Sequence, residues 1–291
     1  MWTPRPFTGL DRRSVVSATR CVMYRVTNGC CRQKSGACCA RTHPQLNISK
    51  IGCRSMRCLT TPTMRSCARS KTACSGLALG RIDILYVHDI GAMQHGREGH
   101  PAIMRTLRGG GYRALEELRR CGVVRAIGIG VNEREVLLEA MEWGAWDAFL
   151  LAGRYTLLEQ APLDDLLPRC LSSGISIVVG GPLNSGILAG RDTWNYQTAP
   201  SEIVGRVDAI RAVCDRHQVP LAAAALQFPL AHPAVAAIIP GPRSVAEFAA
   251  NLNLLRYPIP SELWKDLRDA KLLHPLAPTP AGFPDVRPAN A

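Results

Sequence analysis

From Leu79 onward the sequence predicts an α/β fold in which parallel strands alternate with helices. Three observations carry that expectation: five short, mostly apolar runs, helical patterns between them, and an abrupt change of composition at the same boundary. Alternation of this kind makes βαβ units with right-handed crossovers, so the strands lie parallel and are buried on both faces.

The first run, Ile82–His88 (IDILYVH), has no polar alternation and suits a strand covered on both sides. Tyr112–Cys121 follows as a helix stopped by Gly122. The second strand is Ala126–Gly130, and Asn132 is placed as the N-cap of the next helix, NEREVLLEAMEWG. Asp147–Ala152 is the third strand, and a helix around Leu163–Leu171 succeeds it. Ser176–Val179 is the fourth, before a long helix over Ser201–His217. Val235–Ile239 is the fifth, with helices over Val245–Leu255 and Ser261–Ala270 behind it. From Pro275 the chain is Pro-rich and reads as an irregular wrap or frayed end. The domain plan is thus residues 1–78, a partial barrel over 79–274, and a tail over 275–291.

Before Leu79 the texture differs. Residues 1–78 hold 14 Lys and Arg against one acid, Asp11, and nine of the 12 cysteines. The remainder is nearly neutral, so the net charge of +12 belongs to a segment and not to the whole chain. Neither a period of 3.6 nor one of 2 is sustained there, and the segment shows no recognisable fold. The pairs Cys30-Cys31 and Cys38-Cys39 lack CxxC or Cys/His spacing, so no metal site is expected. An Arg-rich, acid-poor start is similar to a transit peptide, but the cysteines and the length of the bias argue against one. As an arm for nucleic acid it has charge but few aromatic platforms, only Trp2, Phe7 and Tyr24, and no nucleic-acid partner is expected. No run suits a membrane span or a secretory core, which favours a cytoplasmic protein.

An open dinucleotide-binding sheet would carry GxGxxG after its first strand. The nearest stretch, Gly128–Glu133, lacks the third glycine, and a barrel fits better. In barrels the chemistry gathers at the carboxyl ends of strands, where His88, Asn132 and Gly241 fall. Five ordered strings then carry a resemblance: RIDILYVHD at 81–89, VRAIGIGVNE at 124–133, FLLAGRYTLLEQ at 149–160, IVVGGPLNSGILAG at 177–190 and IIPGPRSVAEFAANL at 238–252. The block from Leu79 to about Pro260 resembles the aldo-keto reductase family, in its aldose 1-dehydrogenase and L-fucose dehydrogenase branch. The resemblance implies strands four to eight of a (β/α)8 TIM barrel and hydride transfer between a nicotinamide cofactor and an aldose or aldehyde. It implies that His88 orients the substrate oxygen and that Asn132 holds the cofactor carboxamide. Asn184 and Ser185 would lie along the pyrophosphate, and Gly241, Arg243, Ser244 and Asn251 at the adenosine end. NAD or NADP is the cofactor implied. Arg243 suits a 2′-phosphate, but Glu247 stands where many NADP users carry arginine, which favours NAD. Gly180 and Ala152 replace a family tyrosine and glutamine, departures that the dehydrogenase branch shares.

The family pattern also calls for DTAPxYG, STKVGR and RSLEDSL ahead of these strings, and the printed sequence has none of them. Read one nucleotide earlier, however, the codons of Thr3–Gly9 permit DTAPLYG, those of Arg13–Arg41 permit a string ending STKVGRLLRP, and those of Thr60–Leu79 permit DYADDAFVRSLEDSLQRLGL. The family's aspartate, tyrosine and lysine then fall over Thr3, Thr8 and Lys34, and Lys34 itself is a coincidence of codons. The expectation is a frameshift near Gly76–Gly80, with the first strand and helix encoded upstream of Met1. A phenol near pKa 10 needs a cation beside it to exchange protons near neutrality, and this chain lacks that pair. The alternative is a non-catalytic remnant or binder with a basic N-terminal arm.

Overall fold

The computed structural model describes Cys21–Arg25, as a strand, and residues 83–280. Two compact units divide these residues, one running through Phe149 and the other starting at Leu150.

In the first unit the strands are β1 (Cys21–Arg25), β2 (Ile84–His88), β3 (Ala126–Val131) and the start of β4 (Ala148–Ala152), in that order across the sheet. β1 pairs parallel with β2, Cys21 opposite Ile84 and Arg25 opposite His88. β1 lies in the segment where the sequence sustains no period: the edge of β2 offers a row of backbone donors and acceptors, and the five residues CVMYR pair with it. β2 pairs parallel with β3, and Leu85, Tyr86, Val87, Ile127 and Ile129 are all but fully buried, as strands covered on both faces require.

Helices α1 (Ala92–Thr106), α2 (Tyr112–Arg120) and α3 (Arg134–Met141) complete the unit. α1 has no counterpart in the sequence reading. Its residues AMQHGREGHPAIMRT include two glycines and a proline; Gly96 leaves helical geometry at φ 72°, and a π-turn over Leu107–Gly111 joins α1 to α2. α2 is held to the sheet by Arg119, whose Nη1 lies 2.7 Å from Asp147 Oδ2. The same oxygen accepts from the amide of Ile127 at 2.9 Å, tying helix and two strands through one carboxylate.

In the second unit the sheet runs β4, β5 (Ser176–Gly180), then β8 (Val235–Ile239), with β5 bonded parallel to β8. Between β5 and β8 lie a two-stranded hairpin, β6 (Thr193–Trp194) and β7 (Gln197–Thr198), and helices α5 (Ser201–Arg216) and α6 (Leu221–Gln227). α4 (Leu166–Ser172) precedes β5, and α7 (Val245–Leu255) and α8 (Ser261–Asp269) follow β8. α6, the hairpin and α1 are among the described elements that the apolar pattern did not reveal. LAAAALQ, without polar breaks, has no amphipathic period to read, and six of its seven residues are buried. The core of this unit joins Tyr155, Phe228, Trp264 and Leu263. The tail to residue 280 wraps: Leu272, Leu273 and Ala277 are buried, and Arg268 donates to the carbonyl of Ala277.

Candidate functional site

In the first unit, His88 closes β2 opposite Gly130 of β3, so His88 and Asn132 leave neighbouring strand ends on the carboxyl side. His88 is half-buried, its Nε2 3.4 Å from Asp89 Oδ2. Asp89 takes a left-handed φ of 51°, and its amide donates to Gly130 O at 2.9 Å. Two histidines of α1 brace this turn: His95 Nε2 bonds to Asp89 O at 2.7 Å and His100 Nδ1 to Ile90 O at 2.8 Å. Asn132 is half-buried and stands one position before the residue that flanks α3. The helix begins at Arg134 with Glu133 as the flanking residue, and Glu133 Oε1 accepts instead from the amide of Met93 at 2.9 Å.

In the second unit, Asn184 and Ser185 fall in a tight loop after β5, both at positive φ and followed by Gly186 at φ 106°. A polar cluster the sequence reading missed surrounds them. Glu159 accepts from Asn184 Nδ2 at 2.9 Å, from Trp194 Nε1 at 2.8 Å and from Arg154 Nη1 at 3.0 Å. Arg154 also donates to Asn195 Oδ1, and Asn184 to the carbonyl of Gly153. Ser185 binds the hairpin, its Oγ accepting from the amide of Tyr196 and its carbonyl from Thr193. Asn184 Oδ1, on a side chain 3 % exposed, is without a hydrogen-bond partner among the described residues. No spacing marks Glu159 as the hub; only the fold brings a residue of the β4 loop to the β5 loop.

At the end of β8, Gly241 turns at φ 67° and leads into α7. Ser244 is the N-cap, its Oγ accepting from the amide of Glu247 at 3.1 Å. Arg243 Nη2 lies 3.1 Å from Glu247 Oε1, and the Arg243 amide donates to Glu247 Oε2 at 2.7 Å. These bonds, with the guanidinium beside it, hold the Glu247 carboxyl below the usual carboxylate range. Asn251, one turn past Glu247, is half-buried. At Gly180 a side chain would meet Leu150 at 3.1 Å and Ala152 at 3.3 Å, so Ala152 leaves just enough room for a glycine. Thr3, Thr8 and Lys34, like the basic segment before residue 79 outside β1, lie outside the described residues. Among the described residues no cluster has the donors of a metal site, and no helix is long and apolar enough to cross a membrane.

Parallel strands alternating with helices, with His88 and Asn132 at strand ends in one unit and Asn184 and Gly241 in loops after strands in the other, fit an α/β fold of the barrel type. The sequence matches the Aldo/keto reductase family over residues 63–271, reaching back past Leu79. It is 42% identical over 201 residues to a pyridoxal 4-dehydrogenase of Microbacterium luteolum, covering 68% of this chain and 59% of that one. It is 37% identical over 209 residues to a D-threo-aldose 1-dehydrogenase of Pseudomonas, covering 70% and 60%. An aldo-keto reductase of Bacillus halodurans, in its holo form, superposes with a TM-score of 0.52 at 25% identity, covering 70% of this chain and 65% of that one. The chain belongs to the aldo/keto reductase family; it spans about three-fifths of the length of these curated relatives.

Proposed function

We propose that the gene specifies an NAD-dependent dehydrogenase of an aldose or a small aldehyde, and that the printed chain, whose first segment is out of register, does not itself transfer hydride. The family match, the relatives named for pyridoxal and aldose, and the strand-end placement of His88 and Asn132 support the first part. The observation that carries the choice of cofactor is Glu247. It occupies the Arg243 guanidinium and amide together, leaving a carboxylate where a 2′-phosphate would need free cations.

The residues present fit the adenosine end of such a cofactor. Gly241 lets the backbone turn closely, Ser244 caps α7, and Asn251 stands about two turns beyond on the same helix. Asn184 offers a buried acceptor with no partner among the described residues. A bound nicotinamide supplies or takes the hydride. His88 orients a carbonyl or hydroxyl oxygen at the end of β2, braced through Asp89 and Ile90 by His95 and His100. The proton must move through a phenol and its lysine, and those belong to the register one nucleotide earlier.

Both parts are tested by purifying the 291-residue chain and a register-restored, upstream-extended version and following NADH formation with aldoses and pyridoxal. The restored protein should turn over with NAD in preference to NADP, and Glu247→Arg in it should narrow that preference by about tenfold. Turnover by the printed chain, or an NADP preference in the restored one, refutes the corresponding part.

A further inference from the structure

α1 returns two histidines to one short turn, and a break in the helix explains how. His95 Nε2 donates to Asp89 O at 2.7 Å and His100 Nδ1 to Ile90 O at 2.8 Å, so rings five residues apart meet successive carbonyls. Both partners are carbonyl oxygens, which fixes each ring nitrogen as the donor. On an unbroken α-helix, residues five apart point about 140° away from each other and do not converge on one turn. Gly96 removes that obstacle. At φ 72° and ψ 165° it interrupts α1 between the two histidines, in a conformation that residues with side chains rarely adopt. A Cβ there would meet nothing within 4 Å, so the glycine serves the backbone conformation and not close packing.

The same turn is held from the β3 side. Glu133 Oε1 accepts from the amide of Met93 at 2.9 Å in the first turn of α1, and a Cβ on Gly91 would run into the same carboxylate. His100 Nε2 lies 3.4 Å from Glu139 Oε2 of α3, which steadies that ring from its far side. Asp89, Ile90 and Gly91, directly after His88, are thus each met by a side chain from beyond the turn. The outcome at Asp89 is a left-handed φ of 51°, with its Oδ2 3.4 Å from His88 Nε2. A residue with a side chain keeps such a conformation where its surroundings enforce it. We propose that His95 and His100 are positioning residues for His88, and that the break at Gly96 lets both serve. They act through the turn whose aspartate faces the His88 ring. The proposal rests on the reading of His88 as the residue that orients the substrate oxygen.

The test follows the histidine ring nitrogens by NMR in the full 291-residue chain carrying isotope-labelled histidine. His95→Ala with His100→Ala removes both donors and should shift or broaden the His88 ring signals, while those of His217 and His232 in the other unit stay in place. His95→Gln with His100→Asn keeps an N–H close to each one lost and should return the His88 signals to those of the parent. Gly96→Ala retains both rings at an exposed position, reads the same question should the alanine pair fail to fold, and should disturb the same signals. In the register-restored protein the alanine pair should raise KM for the aldose or aldehyde by about tenfold and leave NAD binding unchanged, with the Gln and Asn pair within about twofold of the parent. Unchanged His88 signals in the alanine pair or in Gly96→Ala, or equal disturbance by the Gln and Asn pair, overturn the proposal. His88 signals that move as expected while the substrate KM holds uphold the positioning and remove His88 from substrate binding, so the two readings fail separately.

Discussion

Glu159 draws three donors from three separate stretches of chain onto one carboxylate, and one of them, Asn184, belongs to the loop read as cofactor-binding. Hydrogen bonds to a charged group are each worth about 1.5–3 kcal/mol net when shielded from water. Glu159→Gln keeps the shape and removes the charge, and should cost about 2 kcal/mol, read as a lower urea midpoint at unchanged slope. His232 sets a second test. It is buried against Tyr155, and its Nδ1 accepts from the amide of Ala234, so the ring is held neutral and burial keeps its pKa below the ordinary histidine value. A histidine whose folded value lies under the unfolded one contributes stability that is fully present above about pH 6.5 and is lost as pH falls through the folded value. The urea midpoint should therefore drop between about pH 7 and about pH 5, and His232→Gln should flatten that limb.

At the scale of elements, close approach matters more than propensity. Gly128 in β3 faces the Ala148 carbonyl, and an added Cβ would run into that oxygen and lie 2.9 Å from the Tyr86 ring. Because two of its obstacles are a strand backbone and a fully buried ring, Gly128→Ala should destabilise the chain by about 3 kcal/mol, measurable by thermal or urea unfolding. The glycine was visible in the string AIGIG; what it avoids was not. Strands and amphipathic helices after Leu79 were legible because burial on one or both faces leaves a period in the residues: Val235–Ile239 and Val245–Leu255 have the bounds expected of them. α1 was not legible, because its glycines and proline break the period and its ends are fixed by backbone geometry and by the bonds of His95 and His100. Of the site, residues in strand-end strings could be named in advance, but the Asn184–Glu159–Trp194 cluster depends on distant loops meeting.

For the whole molecule, charge distinguishes the two registers more sharply than activity does. As printed, the 14 Lys and Arg of residues 1–78 meet a single acid, and they raise the sequence isoelectric point to about 9.4. Strings such as DYADDAFVRSLEDSLQRLGL, permitted by the same codons one nucleotide earlier, bring acids and bases near balance, as globular surfaces do for solubility and to limit self-repulsion. The cysteine surplus disappears with the same step, since the permitted strings contain none. If the register is wrong, the protein in its own cells focuses near or below neutrality, and tryptic digestion releases SLEDSLQR. If it is right, the protein focuses near the basic end, and the digest contains TACSGLALGR from residues 72–81. Isoelectric focusing and peptide mass spectrometry on the endogenous protein read both outcomes.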